Sequence, residues 1–296
     1  MKAVKAWIEA MRLRTLPVSV AGVFCAFAFA HLDGSAQWLP GWLCLLFAVL
    51  AQISSNFANE YYDFKAGLDK AGRVGPRRGV TEGDLSARAM RNATFGVLAL
   101  ACAVGCSLIY WGGYWLIALG LMIAIGVLAY SAGPYPLSRH GLGEAAVIMF
   151  FGIIPVNMTY YLMCGRWSTD VAIASLSMGL LGANVLIVNN YRDVNDDREV
   201  GKITLCVKWG RKAMSVIYLV NGLVAIVMMA EVWNAASDAK IIGIVGFFLY
   251  LQICLYVRLV RNDGAKLNRL LGATAGIMLL FALTFLFVSI FKITNL

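Results

Sequence analysis

The sequence predicts an all-α integral membrane protein with nine transmembrane helices, on three observations. Its 296 residues are 60% hydrophobic and only 14% charged, with a mean hydropathy of +0.74, whereas a soluble domain is roughly half apolar and a quarter charged. Apolar runs recur at about residues 16–31, 38–58, 92–110, 114–131, 145–163, 171–190, 213–230, 240–257 and 270–291, each close to the roughly 20 residues a helix needs to cross a bilayer. Most of these runs lack period-two polar alternation, which argues against an outer-membrane barrel. The basic residues are also one-sided: connections 1–15, 59–91, 132–144, 191–212 and 258–269 hold 22 of the 25. With nine spans these connections share one face, so by the positive-inside rule the N-terminus lies in the cytoplasm and the C-terminus outside it. The expected location is a bacterial cytoplasmic (inner) membrane.

Taken in order, the chain forms one transmembrane domain, residues 1–296, opened by a short interfacial segment. In residues 1–15 an apolar stripe of Trp7, Ile8 and Met11 opposes Lys5, Glu9 and Arg12, the pattern of an amphipathic helix lying on the membrane. Arg12 and Arg14 make the basic region long for a cleaved leader, and Pro17 stands near the start of the first span. The second span runs into NFANEYYDFKAGLD. There Asn56, Asn59 and Asp63 share a helix face at i, i+3 and i+7. Gly67 ends that helix or starts a turn, and Asp69 returns from the loop. The following KAGRVGPRRGVTEGD offers Arg73, Arg77 and Arg78 to an anion.

Four spans later the same chemistry recurs in NNYRDVNDDREVGKITLCVKWGRK, residues 189–212. Asn190, Asp193 and Asp197 are spaced three and four apart, with Arg192, Arg198, Lys202 and Lys208 around them. An even number of intervening spans returns the chain to the same side, so both acidic clusters open toward the cytoplasm. Tyr61 and Tyr62 are readable either as interface-belt residues or as substrate contacts. The seven cysteines show no zinc-type pairing with His31 or His140 and read as packing residues.

Acids at a membrane mouth are expensive and tend to be functional. Carboxylates alone would repel one another, and arginines alone would not need them. Together they point to a polyanion held through a divalent cation, since Mg²⁺ uses one or two carboxylates per ion plus substrate phosphates. Arg and Lys would contact the remaining oxygens of a diphosphate, and the apolar spans would accept a long tail. A polyprenyl diphosphate has that combination of parts. The basic residues come with membrane-edge loops and no nucleic-acid motif, so nucleic acid is not an expected partner, and no obligate protein partner is expected either.

The two motifs resemble the paired aspartate-rich motifs of the UbiA superfamily of intramembrane aromatic prenyltransferases. LRTLPVSV, QISSNFANEYYDFKAGLDKAGRVGPRRGV, YSAGPYPLSRHGLGE and NNYRDVNDDREVGKITL look most like its 1,4-dihydroxy-2-naphthoate polyprenyltransferase branch. The resemblance implies a bundle around a central cavity open to the cytosol and laterally to lipid. It implies transfer of a polyprenyl chain to 1,4-dihydroxy-2-naphthoate, with loss of CO₂ and diphosphate, for menaquinone biosynthesis. Asn59, Asp63 and Asp69 match the first metal and diphosphate motif, and Asn190, Asp193 and Asp197 the second, holding two Mg²⁺ ions. Arg77, Arg192 and Lys202 match diphosphate contacts, and Tyr130 and Ser131 match a Tyr-Ser pair near the active site. Glu60 stands where the family more often has Asp, and Asp196 is an additional acid. Arg139 and His140 are open to two readings, as holders of the acceptor carboxylate or as ordinary interfacial residues. Another acceptor, 4-hydroxybenzoate or homogentisate, is the competing reading. A secondary transporter fits less well, because the acids lie at span ends beside basic partners.

Overall fold

The computed structural model describes residues 2–69, 72, 74–233 and 239–291; Arg73 therefore lies outside the described residues. Those residues form a short helix α1 (Lys2–Met11) and nine further helices: α2 (Leu16–Asp33), α3 (Trp38–Lys65), α4 (Ala87–Gly112), α5 (Leu116–Ala129), α6 (Gly143–Cys164), α7 (Thr169–Glu199), α8 (Leu205–Val232), α9 (Ala239–Arg261) and α10 (Lys266–Phe291). The chain is a multi-pass membrane protein. Among the described residues eight helical stretches are long and apolar enough to cross a bilayer, the first of them counted together with α1. The expected span 114–131 is the exception.

That span, α5, has only 14 residues, about 21 Å at 1.5 Å per residue, against a hydrocarbon core of roughly 30 Å. It nevertheless returns the chain to the side from which α4 left. Ser131, just past its C-terminus, accepts a hydrogen bond from the side-chain amide of Asn59 near the C-terminal end of α3, at 3.0 Å. The exposed aromatics Tyr110, Tyr114 and Trp115 at the opposite end mark where the shortened helix begins.

α7 is the most buried spanning helix and packs against α2, α6, α8 and α10. Buried polar groups tie it in where apolar surface alone gives helices little reason to associate. Asn184 donates to the Tyr218 carbonyl at 2.8 Å, Ser177 to the Ala225 carbonyl at 2.7 Å, and Gln252 of α9 to that same Tyr218 carbonyl at 3.0 Å. Against α6 the contact is backbone to backbone. A Cβ on Gly152 would lie 2.4 Å from Gly179 Cα, so no side chain fits at that crossing.

Gly152 lies in a π-helical turn, Ile148–Ile153, just before Pro155. Proline has no N–H to close an α-turn, and the wider turn accommodates it. Gly22 of α2 approaches the Phe151 carbonyl so closely that a Cβ there would be 2.9 Å from the oxygen. The turn thereby sets the direction of Phe150 and Phe151, whose side chains line the cavities described next.

Both acidic motifs are helical except for Asp69, which lies in the loop after α3. α3 continues through Asp63 to Lys65, and Gly67 at φ +68° ends it, its N–H reaching the Phe64 carbonyl at 3.0 Å. α7 runs past the apolar stretch to Glu199. Two cysteines depart from the packing reading: Cys102 and Cys106 on α4 are exposed, because α4 presents one side outward and another to an apolar cavity.

Candidate active site

The ends of α3 and α7 converge on a polar chamber of about 700 Å³, closed on other sides by α1, the segment before α2, and the loops after α3, α5 and α7. Asn59, Asp63, Asp69, Asn190, Asp196 and Asp197 line it. The chamber shares Gln52, Ser55, Tyr130, Val147 and Phe151 with a second cavity of about 260 Å³. That second cavity runs between α3, α4, α5 and α6 and is almost wholly apolar. Its wall depends on small residues: a Cβ on Gly126 would stand 2.4 Å from the Phe150 ring, and one on Gly105 3.2 Å from Phe47.

The first motif is built from distant parts of the chain. Asn59 donates to Asp63 at 2.9 Å, and its oxygen accepts from Arg78 at 2.8 Å and from Arg12. Arg78, whose side chain is only 6% exposed, lies 3.2 Å from Asp69 and 3.7 Å from Asp63. Arg139 reaches Asp63 at 3.2 Å and also donates to the carbonyls of Ser131 and Tyr62. The loop holding Arg78 is fixed from below, since Glu60 accepts the Val80 N–H at 3.1 Å. Val80 and Leu85 pack with Ala6 and Ala10 of α1 and with Phe57 and Met90.

The second motif is more local. Both carboxylate oxygens of Asp193 accept from its neighbour Arg192 at 2.7 Å, and Arg192 also reaches Asn189 at 2.8 Å and Asn268 of α10 at 2.7 Å. Lys202 turns back at Gly201, φ +72°, and pairs with Asp197 at 3.1 Å. Asn190 donates to Glu144, at the start of α6, at 3.0 Å. One backbone bond joins the motifs' supporting loops, from the Ile203 N–H to the Arg139 carbonyl at 3.0 Å.

Several expected residues have different places from those the sequence suggested. Arg77 touches the chamber, but its guanidinium is nearly half exposed and pairs with Asp84, a hydrogen bond that raises its pKa above the usual arginine value. Its neighbour Arg78 is the buried one. Adjacent residues in an irregular loop point in different directions, and neither composition nor spacing separates them. Glu60 is a loop anchor, its carboxylate facing Val80 and Arg78. Asp193 is engaged by Arg192. Asp196, which had no place in the motif, lines the chamber. Tyr61 packs against the α1 cluster and edge-on to Tyr62 at 4.9 Å. His140 stacks on Tyr135 at 3.7 Å, as an interfacial residue would, whereas Arg139 belongs to the first motif.

Arg12 and Glu144 are chamber residues that the sequence reading did not assign to the site. Glu144 carried a usable signal, because it is an acid at the mouth of an apolar span like those in the two motifs. Arg12 carried none, since a basic residue ahead of a first span also serves topology.

For a divalent cation, the donor chemistry fits a hard ion. The acidic side chains are all oxygen donors, with amide oxygens beside them and no histidine or cysteine among the chamber residues. Among the described residues no three His, Cys, Asp or Glu side chains stand close enough to chelate one ion. The carboxylates are apportioned instead among Arg78, Arg139, Arg192 and Lys202.

The family model for the UbiA prenyltransferase family matches residues 19–283, which takes in both motifs. The chain belongs to that family. Among UbiA relatives, the 1,4-dihydroxy-2-naphthoate octaprenyltransferase of Escherichia coli K12 is 35% identical over 212 residues, 70% of this chain and 69% of the relative. The enzyme of the same name from Mycobacterium tuberculosis H37Rv is 34% identical over 278 residues, 94% of both chains. The UbiA fold is seen again in a homolog from Archaeoglobus fulgidus solved with GPP and Mg²⁺. It has a TM-score of 0.69 at 17% identity and covers 96% of this chain and 99% of that one. An apo UbiA homolog from Aeropyrum pernix K1 gives 0.68 at 14% identity, over 93% of this chain and 97% of that one.

Proposed function

We propose that this protein transfers a polyprenyl chain from its diphosphate to 1,4-dihydroxy-2-naphthoate within the membrane, releasing diphosphate and CO₂. The observation that carries the reading is the joined pair of cavities, a charged chamber opening into an apolar tunnel. A ligand that fills both must have an anionic head and a hydrocarbon tail. The names of the bacterial relatives support the naphthoate acceptor, and the product of that transfer is demethylmenaquinone, for menaquinone biosynthesis.

The chamber's ion pairs form an exchangeable set. Asp63, Asp69 and Asp197 are held by Arg78, Arg139 and Lys202. A diphosphate offers those cations better acceptors, since charge-assisted and bidentate contacts to phosphate are among the strongest hydrogen bonds in proteins. The carboxylates so released, with Asn59, are the groups that would hold a divalent cation. Bound Mg²⁺, two ions in our reading, would supply neutralisation of the charge that builds on the departing diphosphate. Arg78, Arg139 and Lys202 act in the same sense at the oxygens, as donors already placed beside them. Release of Asp193 from Arg192 would let it join this set. As the allylic C–O bond breaks, the electron-rich ring attacks the terminal carbon at the neck. The apolar walls of Val147 and Phe151 there exclude water that could otherwise capture the cation.

The bacterial cytoplasmic membrane, with the chamber toward the cytoplasm and the C-terminus outside, remains the expected setting. There α1 lies along the interface as the opening segment of one domain spanning residues 1–296. The decisive experiment is an assay of detergent-solubilised protein with a polyprenyl diphosphate, Mg²⁺ and either naphthoate or 4-hydroxybenzoate, with products read by mass. A decarboxylated prenyl naphthoquinone that disappears with EDTA is the expected result. Product from hydroxybenzoate alone would reassign the acceptor.

A further inference from the structure

Glu144 stands at the first turn of α6 with its side chain lining the chamber, yet the residue is only 7% exposed. One oxygen accepts from Asn190 at 3.0 Å. The other, Oε2, is buried and has no hydrogen-bond partner among the described residues. An acid in the first turn of a helix is favoured by the helix dipole. That preference needs no burial, however, and a solvated acid would satisfy it equally. A buried carboxylate oxygen without a donor is expensive to keep and asks for a ligand that supplies one.

Its position says which part of a ligand that is. Val147, one turn further along α6, lines both cavities, as does Tyr130. The Tyr130 hydroxyl lies 3.7 Å from where a Cβ on Gly143 would be, so this tyrosine stands beside the start of α6. The diphosphate end of the chamber is set by Arg78, Arg139 and Lys202, which are cations, and an acid does not suit phosphate. Glu144 lines the chamber one turn of α6 before Val147, a residue of the neck, so a neutral donor on a ring seated at the neck is the partner its free oxygen suits.

We propose that Glu144 receives a ring hydroxyl of the aromatic co-substrate and thereby selects hydroxylated acceptors and orients the ring. The proposal rests on the reading of this site as an aromatic prenyltransferase. It extends that reading to one residue and one bond, from the acceptor O–H to Oε2, with no transfer of the proton required.

Equilibrium binding tests it apart from turnover. Binding of 1,4-dihydroxy-2-naphthoate and of its two mono-O-methyl ethers would be measured by tryptophan fluorescence on wild-type protein and on Glu144→Gln and Glu144→Asp, with Mg²⁺ present. A site built to hydrogen-bond a hydroxyl rejects the analogue without it strongly, so wild type should bind one ether at least ~100-fold more weakly than the parent. Glu144→Gln should shrink that discrimination to about tenfold or less, because the charge-assisted bond is lost. Glu144→Asp should retain part of it. Binding of a non-hydrolysable prenyl diphosphate analogue should be unchanged in both variants, which shows that the folded chamber is intact. Equal binding of parent and ethers by wild type, or undiminished discrimination in Glu144→Gln, overturns the proposal. Discrimination that follows Glu144 in a protein yielding no prenylated product from any acceptor would uphold the hydroxyl site and refute the transferase reading.

Discussion

The two acidic motifs carry the same donor types but are supported in opposite ways. Around Asn59 and Asp63 the partners come from three separate segments: Arg12, Arg78, and the connection that holds Ser131 and Arg139. Around Asp193 and Asp197, Arg192 and Lys202 are ion-pairing partners among the described residues, one and five residues away. The first motif therefore exists only when the bundle is assembled, whereas much of the second is prepared by its own helix and the turn that follows. A repeated sequence motif need not mean a repeated way of holding it.

Removing a central acid from either motif should have the largest effect and the same one. Asp63→Ala and Asp193→Ala should each lower turnover by at least about a thousandfold, the scale of losing a preorganised electrostatic contact, while detergent extracts still show folded protein by size exclusion. Full activity in either would remove that motif from the chemistry. The motifs should separate when a base is removed instead. Arg78→Ala leaves Asp63, Asp69 and Glu60 crowded without their buried cation and should cost about 3 kcal/mol or more of stability, visible as a lowered thermal midpoint. Lys202→Ala breaks one partly exposed local pair and should cost about 1 kcal/mol; equal shifts would dissolve the contrast between the motifs. Arg77→Ala should be the mildest. Its exposed guanidinium serves Asp84 and Glu9, so both melt and turnover should match wild type, with turnover the more informative comparison.

The helices were legible because membrane length and apolar composition are written residue by residue, and even the short α5 appears as an apolar run. Its true length is less legible, since Tyr130 and Ser131 continue the apolar pattern but turn away from the helix. The acids of both motifs were legible from i, i+3 and i+4 spacing, which a helix converts directly into a shared face. Their basic partners were legible only where local. Arg192 and Lys202 could be named from proximity in sequence, whereas choosing Arg78 over Arg77 depends on how a 21-residue connection between α3 and α4 folds against α1. Glu60 shows the same limit. It sits inside the motif by sequence, but its helix angle turns it toward the loop and away from the chamber.

Arg12 is the sole non-glycine among the described residues with positive φ, at φ 51° and ψ 55°. For a residue with a Cβ that conformation costs roughly 1–2 kcal/mol, and glycine would adopt it freely. Glycine, however, could not reach Asn59. Selection for stability alone would favour Gly at position 12 and selection for a charged chamber would favour Arg, so the residue found there records which demand prevailed. A library at this position, sorted once for heat resistance and once for catalysis, should return different winners.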